Sequence, residues 1–502
     1  MKFRPLFAVA SAIALASLVP APASAETKAK NVFLFISDGA SWGTWDMASY
    51  YQHGAKGQQA YDSFDVKLGM TTVPLNTSNT PTYGSAPQIT YDPSKAWDTT
   101  SIDNGNHFAG YDYIKQNFTD SAAAGTALAS GEKTYNNAIN FDDFANALNY
   151  VTLDAKDMGK TTGVVTSVPF THATPAAFGA QNISRNNYGA ISEAMIANSS
   201  LDLIFGAGDP RYDVNGNLRS TNNYGYMSET ALNSLLDGSS GRTLIQTKAD
   251  FEALADGSLT LTGPVMGLPE VYDTLQYNRS AAELGAGDTA SGIALIDSVP
   301  TLETMTKGAI NYASQDTDGF FLMIEGGAVD WGAHANNTGR TIEEQIDFNL
   351  SVQAAVDWIN TNSSWDESLV IVLTDHGNGM TMGPDSDTIA FQPIQNNGQG
   401  VLPGVQWHFG NHTVENTLFW ANGAGSELFY NYVVGIDDGF RDIIGHNDGS
   451  YIDNTAVSKA ILAAMQGNQA GAVPEPATWA MMIMGFGLVG YTSRRRRAAV
   501  AA

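Results

Sequence analysis

Short apolar runs recur along the chain, and each run is bounded by polar or small residues. The runs show neither a helical period nor a regular alternation of polar residues, which is typical of strands buried on both faces of a sheet. We predict such strands at 32–36, 163–168, 201–205, 320–324, 369–373 and 417–420.

A different pattern predicts helices between these strands. Ile342, Ile346 and Leu350 recur at four-residue intervals on a segment that continues to about residue 360, and 144–158 is a second helical candidate. Strands that alternate with helices favour an α/β fold, in which a central, mostly parallel sheet is sandwiched between helices. Residues 206–300 are rich in Gly, Asn and Ser with weaker periodicity, so we expect an insertion there, near the functional site or at an oligomer surface.

The N-terminal residues follow the order of a secretory signal. Lys2 and Arg4 precede an apolar run at 6–19, and Ala23-Ser24-Ala25 follows as a cleavage site. We therefore predict a signal peptide at 1–25, a main domain at 26–466 and a flexible linker at 467–472.

The C-terminal segment, 473–502, has three parts. Val473-Pro474-Glu475-Pro476 precedes an apolar run at 477–491, and arginines occupy 494–497. This order resembles the PEP-CTERM sorting signal of Gram-negative bacteria, whose carriers are processed by a membrane protease of the exosortase type. A plain tail anchor is the alternative, with the arginines on the cytoplasmic side. Both interpretations place the main domain outside the cytoplasm: periplasmic, at the cell surface or secreted, and tethered to the membrane through the tail before processing.

The net charge of the chain argues against nucleic acid as a partner. The 25 basic and 51 acidic residues give a net charge of −26, which repels nucleic acid and argues against it as a specific partner. An anionic substrate would need positive charge built into its own site. Because the chain has no cysteine, disulfides and thiolate chemistry are excluded.

Polar side chains follow several of the predicted strands. They are Asp38, Thr174, Glu325 and the adjacent pair Asp375-His376. Ligands of parallel α/β sheets collect at the carboxyl ends of the strands, so we expect these side chains to meet at one edge. Carboxylate, imidazole and hydroxyl groups are also the ligands that zinc and magnesium use in proteins.

Further candidates lie outside the strands. Asp330 and His334 are four residues apart, so one helical turn would let them share a metal. His172 precedes Thr174, and Arg185 could hold a phosphate with its planar fork. His412 and His408 are both close to the last strand, and their chemistry alone does not separate them.

Ser121 stands where a helix should begin, and the small residues after it leave its hydroxyl uncovered. The block Asp120-Ser121-Ala122-Ala123, together with 172–176, 325–334 and 374–376, resembles the alkaline phosphatase family in order and largely in spacing. The likeness runs from residue 31 to about residue 463, most of the main domain, and it implies the alkaline-phosphatase fold and metal-dependent hydrolysis of small-molecule phosphate monoesters.

The resemblance implies a role for each matched residue. Ser121 would be the nucleophile, phosphorylated and then released by water, and Arg185 would clamp the phosphate. Two zinc ions and one magnesium ion would be bound by three sets of ligands: Asp330, His334 and His412; Asp38, Asp375 and His376; and Asp38, Thr174 and Glu325. His172 occupies a position near the magnesium that is Asp in some bacterial members. Trp331 stands where others have Lys or His, which implies weaker binding of the phosphate product.

Two other interpretations stay open. A phosphodiesterase or sulfatase of the same superfamily would use related metal ligands. A surface binding or matrix protein could keep the fold without the chemistry, although no ligand or nucleophile is missing here. The resemblance also makes a homodimer possible.

Overall fold

The computed structural model describes residues 28–102 and 107–467. The predicted signal peptide and C-terminal sorting segment lie outside the described residues, as does the linker after Gly467.

Within the described residues, one large sheet forms the centre of the molecule. In spatial order its strands are β16 (Val433–Ile436), β17 (Ser450–Asp453), β2 (Val66–Thr71), β15 (Thr417–Gly423), β10 (Ser368–Leu373), β1 (Asn31–Ser37), β9 (Phe320–Gly326), β5 (Thr161–Pro169), β6 (Leu203–Ala207), β8 (Val265–Gly267) and β7 (Thr243–Ile245). All the pairings from β10 across to β7 are parallel, and antiparallel pairs occur only on the other side, at β15 and β16. The predicted mostly parallel α/β sheet is therefore confirmed, and each predicted strand lies in it.

Helices cover both faces of this sheet. The longer ones are α1 (Trp42–His53), α4 (Ser121–Ser130), α5 (Val151–Asp157), α7 (Tyr188–Ala197), α8 (Glu229–Leu236), α9 (Lys248–Ala255), α11 (Leu302–Ala313), α12 (Ala328–His334), α13 (Thr338–Asn362) and α14 (Ala456–Gln466). Shorter ones are α2 (Pro93–Ala96), α3 (Ala109–Ile114), α6 (Ala173–Ala177) and α10 (Ala281–Leu284). Two-residue strands complete the fold: β3 (Ser101–Ile102), β4 (His107–Phe108), β11 (Gly377–Asn378), β12 (Thr381–Met382), β13 (Gln406–Trp407) and β14 (His412–Thr413).

Strand β1 shows why the central strands read as continuous apolar runs. Leu34 and Ile36 point into a core on one side of the sheet, while Phe33 and Phe35 point into a second core on the other. Because successive side chains alternate between faces and both faces are covered, every position of β1 is buried.

The predicted helix at 144–158 is wrong in its first half, since α5 begins only at Val151. The Asp142 carboxylate accepts hydrogen bonds from the backbone N–H groups of Phe144 and Asn146, and Ala145 has a φ of 61°. The Asp142 carboxylate thus accepts from backbone N–H groups that would donate to backbone carbonyl groups in a helix, and the chain forms a turn instead.

The segment 206–300, expected as an insertion, joins the central sheet. Strands β7 and β8 extend the central sheet at its edge, and α9 packs on α11. Three-residue strands are too short to show a period, so the sequence pattern could not reveal them. The segment does approach the candidate site, because Tyr277 lines its cavity.

Candidate active site

The carboxyl ends of neighbouring parallel strands bring the predicted polar residues together. Asp38 follows β1, Glu325 lies at the end of β9, Thr174 comes after β5, and Asp375-His376 follow β10. These strands are adjacent in the order β10, β1, β9, β5, so their ends share one edge of the sheet. The five side chains are buried.

The first cluster surrounds Asp38. The Nε2 atom of His376 lies 3.6 Å from Asp38 Oδ1 and 3.1 Å from Asp375 Oδ2. The Thr174 hydroxyl donates to Asp38 Oδ2 at 3.3 Å. Asp38, Asp375 and His376 thus present ligand atoms close enough to share one metal ion.

The second cluster combines Asp330, His334 and His412. Helix α12 places Asp330 and His334 on one face, and β14 supplies His412. His412 Nε2 lies 3.0 Å from His334 Nε2 and 3.4 Å from Asp330 Oδ1. The His376 ring stacks on His412 with a centroid distance of 3.6 Å, so the two clusters adjoin.

Backbone carbonyls orient the imidazoles of the second cluster. His334 Nδ1 lies 3.0 Å from the Gly410 carbonyl oxygen, and His412 Nδ1 lies 2.8 Å from that of Thr119. A carbonyl only accepts, so each Nδ1 donates to it and each Nε2 is left facing the cluster. Such an arrangement is typical of metal-binding histidines.

Several features of this site fit cations. Asp38 Oδ1, Asp375 Oδ2 and Glu325 Oε1 are buried without a hydrogen-bond partner in the described part of the chain. Gly39 has a φ of 69°, and a Cβ atom there would lie 2.6 Å from Asp330 Oδ1. Only glycine at this position lets the Asp330 carboxylate lie against the backbone that follows Asp38. Buried, unpaired carboxylate oxygens around imidazole nitrogens form a donor set suited to divalent metals.

Burial also changes the ionisation of the carboxylates. It raises the pKa of Asp38 well above its usual value, with repulsion from Asp375 adding to the shift. It likewise raises the pKa of Asp375 to about 7 and that of Glu325 to about 8. For Asp330, attraction to His412 and His334 outweighs burial and lowers the pKa. The first cluster therefore needs added positive charge to hold its carboxylates ionised.

Ser121 is the first residue of α4. The Asp120 carboxylate caps the helix by accepting from the Ala123 N–H at 3.0 Å. The buried Ser121 Oγ lies 3.1 Å from His376 Nε2, so the hydroxyl faces the junction of the two clusters.

Arg185 lies on the other side of Ser121. Its guanidinium donates to Asp120 Oδ2 at 3.0 Å, and its backbone N–H donates to the Asn137 carbonyl. Burial, with Arg185 nearby, lowers the pKa of His172 to about 3, so this imidazole is neutral where it lies 3.5 Å from the guanidinium. A cavity of about 460 Å³ opens here, lined by Ser121, His172, Arg185, Tyr277, Asp330, Trp331, His334, Asn411 and His412.

Six of the predicted site residues line this cavity: Ser121, His172, Arg185, Asp330, His334 and His412. The other five, Asp38, Thr174, Glu325, Asp375 and His376, are buried at the strand ends beside it, where the His376 ring stacks on His412. His408 does not join them: its ring lies against Tyr111, and its Nε2 is 2.7 Å from Ser386 Oγ. The structure therefore separates His412 from His408, which the sequence alone did not.

Sequence reasoning missed two supporting residues. Thr166 hydrogen-bonds the Glu325 carboxylate, and Asn378 donates to Asp330 Oδ1 at 2.6 Å. Thr166 is hidden inside a strand that reads as apolar, and no spacing signal points to Asn378. The role of Asp120 could have been found, because an Asp immediately before a helix is a capping signal.

Comparison with known proteins places these features in a family. A family model described as alkaline phosphatase matches residues 29–416, and the PEP-CTERM protein-sorting motif matches residues 472–497. The sorting motif indicates export and sorting to the cell envelope. Among residues 28–102 and 107–467, no helix has the length and apolar character required to cross a membrane.

Curated relatives include two proteins of Bacillus subtilis. Alkaline phosphatase 4 is 35% identical over 277 residues, which cover 54% of this chain and 52% of the relative. Alkaline phosphatase 3 is 32% identical over 270 residues, covering 53% and 50%. The match therefore spans about half the length of these relatives.

Solved structures extend the likeness in fold. The alkaline phosphatase of the Antarctic bacterium TAB5 has a TM-score of 0.57 at 24% identity, covering 88% of this chain and 100% of that one. The enzyme of Thermus thermophilus has a TM-score of 0.58 at 18% identity, covering 88% and 92%.

Proposed function

Because this chain belongs to the alkaline phosphatase family, we propose that it hydrolyses phosphate monoesters outside the cytoplasm, through a phosphoserine at Ser121. The observation that carries the proposal is the position of the Ser121 hydroxyl. It lies 3.1 Å from His376, which belongs to two buried groups whose ligand atoms are close enough to share a metal ion: Asp38, Asp375 and His376, and Asp330, His376 and His412. The serine also lines one cavity with Arg185.

The ligand sets suit two zinc ions and one magnesium ion. Asp330, His334 and His412 would hold one zinc, and Asp38, Asp375 and His376 the other, because imidazole with carboxylate suits zinc. Asp38, Thr174 and Glu325, near His172, would hold magnesium, which prefers oxygen ligands. When bound, these cations lower the pKa of the serine hydroxyl and offset negative charge on the phosphoryl group.

The residues of the chain then account for the remaining requirements. Arg185, positioned by Asp120, can donate two parallel hydrogen bonds to non-bridging phosphate oxygens. The positive end of α4 points its first N–H groups toward the anion. Ser121 Oγ gives up its proton to water and forms a bond to phosphorus, the ester P–O bond breaks, and the departing alcohol takes up a proton from water. A water molecule then attacks the phosphoserine from the opposite side, and the Ser121 hydroxyl is restored with release of inorganic phosphate.

The competing activities are a phosphodiesterase or sulfatase and a catalytically inactive binding protein. Arg185 and the proposed magnesium ligands Thr174 and Glu325 favour the monoesterase. The arginine and the cation would offset the additional negative charge of a terminal phosphate. The intact nucleophile in the cavity and the two adjoining groups of buried ligand residues argue against an inactive binding protein.

The test measures metal content and turnover in the same purified protein. We expect hydrolysis of p-nitrophenyl phosphate in preference to its bis ester and to the sulfate, and loss of this activity on chelation. Ser121→Ala should abolish the phosphoenzyme and leave the metal content nearly intact. Ser130→Ala, at the far end of the same helix, is the matched control and should keep turnover. A Ser121→Ala variant that still forms a phosphoenzyme would refute the proposed nucleophile.

Two partners follow from the same proposal. An exosortase-type protease would process the C-terminal segment at the membrane, in keeping with the sorting motif. A homodimer remains a prediction that the molecular mass in solution would test.

A further inference from the structure

The cavity beside Ser121 is lined by two large aromatic side chains. Tyr277, from the segment 206–300, and Trp331, from α12, both line it and are both half-buried. Their ring centroids are 6.3 Å apart with an interplanar angle of 82°, and the Trp331 indole also lies 5.7 Å from the His172 ring. The two rings meet at nearly a right angle and present two adjoining aromatic groups to the cavity, which we call the aromatic wall.

The aromatic wall is held rigidly by buried arginines. Arg340 donates to the carbonyl groups of Gln276 and Arg279, at 3.1 Å and 2.9 Å, on either side of Tyr277. Arg279 donates to the Gln276 carbonyl as well and pairs with Glu343 at 2.7 Å. Since Arg340 and Glu343 belong to α13, the Tyr277 loop is tied to a helix of the main domain. A preorganised surface loses little conformational entropy when a ligand binds.

The charged side chains of the cavity lie beside Ser121 and the proposed metal ligands. Among the described residues that line it, Arg185 and Asp330 are the charged groups besides the histidines, and both adjoin Ser121 or the metal ligands. A phosphoryl group bound at Arg185 and Ser121 would leave the alcohol part of the substrate facing the mouth. The groups that the alcohol part would contact are the flat rings of Tyr277 and Trp331, which pack best against another flat ring.

We propose that the aromatic wall of Tyr277 and Trp331 stacks a planar ring of the leaving alcohol, so the substrate class is phosphate monoesters of aryl or nucleoside alcohols. This inference rests on the proposed monoesterase function. Stacking of this kind is made equally in the bound substrate and in the transition state, so it lowers KM and leaves kcat little changed.

Two matched substrate pairs test the proposal. Adenosine 5′-monophosphate and ribose 5-phosphate release the same kind of primary alcohol and differ in the base. Benzyl phosphate and cyclohexylmethyl phosphate are similar in size and differ in whether the ring is flat. We expect the wild-type enzyme to favour the flat-ring member of each pair by about tenfold in kcat/KM, mainly through KM, equivalent to about 1.4 kcal/mol.

Two variants and one control locate the effect. Tyr277→Leu and Trp331→Leu should each reduce the preference to about twofold or less. A flat ring that stacks on one of the two perpendicular rings meets the other edge-on, and each variant removes one of these contacts. Tyr224→Leu, an exposed tyrosine of the same segment, should keep the full preference. Measuring both variants matters because Trp331 adjoins the ligand Asp330, whereas Tyr277 does not.

The outcomes distinguish the two proposals. If ribose 5-phosphate is hydrolysed but neither pair shows a preference, or if the preference survives in both variants, the aromatic wall does not select the substrate. If no monoester is hydrolysed by the metal-loaded protein, the proposed function fails, and the inference fails with it.

Discussion

At the scale of single residues, the orientation of Asp330, a proposed metal ligand, depends on the side chains behind it. Asn378 is buried, and its amide donates to the ligand Asp330 at 2.6 Å. The Asn378 backbone N–H in turn donates to Ser41 Oγ, and Ser41 donates to the buried carboxylate of Glu415. This chain of hydrogen bonds orients Asp330 toward His412 from the side away from the cavity.

Asn378→Ala should therefore weaken zinc binding. Removing an outer hydrogen bond to a metal ligand typically lowers metal affinity by about 10- to 100-fold. Titration of the metal-free protein with zinc measures the loss, and turnover should recover at high zinc concentration. Asn396→Ala, which removes an exposed amide bonded to the Gly54 carbonyl, is the control. An unchanged zinc affinity in Asn378→Ala would show that Asp330 needs no such support.

At the scale of elements, α12 carries two predicted zinc ligands and must lie close to α13. Gly332 lies at this contact: a Cβ atom there would be 2.5 Å from Thr341 Oγ1 and 3.1 Å from Thr341 Cα. Glycine is thus required by the distance between the helices, since its φ is not in the left-handed region. The position of Asp330 and His334 depends on that distance.

Gly332→Ala should move α12 away from α13. Overpacking of this kind costs about 1–3 kcal/mol, and we expect a lower Tm together with weaker zinc binding and slower turnover. Calorimetry and zinc titration check both effects. In the control, Gly189→Ala on α7, the added methyl group would meet only Ser228 Cβ at 3.6 Å. That change should be neutral or slightly stabilising, because alanine favours helix more than glycine does. A Gly332→Ala protein with normal Tm and zinc affinity would contradict the packing argument.

At the scale of the whole molecule, the site concentrates acidic groups in a chain that is already strongly acidic. The net charge is −26, and Asp38, Glu325 and Asp375 are buried close to one another with raised pKa values. Bound cations would remove this repulsion in the folded state, whereas the unfolded chain keeps the same carboxylates apart in water. Metal binding is therefore coupled to folding.

Chelation should lower the thermal stability of the whole protein. A ligand present at 1,000 times its Kd stabilises by about 4 kcal/mol, so we expect Tm to fall by on the order of 5–10 °C when zinc and magnesium are removed. Scanning calorimetry before and after dialysis against a chelator measures the shift, and adding both metals back should restore Tm. A metal-depleted protein with an unchanged Tm would mean that the clusters are stable without cations.

The sequence by itself determined six strands of the central sheet, β1, β5, β6, β9, β10 and β15, and the chemistry of the candidate ligands. Long apolar runs such as 32–36 report burial directly, because a strand covered on both faces has no polar positions. The candidate ligands at the strand ends, such as Asp38 and His376, could be identified because parallel strands end at a common edge of the sheet.

Only the tertiary structure decided which of these groups meet. It selected His412 over His408, brought Asn378 behind Asp330, and placed Tyr277 opposite Trp331. Asn378 and Asp330, like Tyr277 and Trp331, are far apart along the chain, and His412 and His408 are the same type of residue. The local pattern of apolar and polar positions therefore does not indicate which side chains meet. The physical reason is that periodicity records how deeply each residue is buried, whereas contacts between particular side chains depend on how helices and loops pack across the sheet.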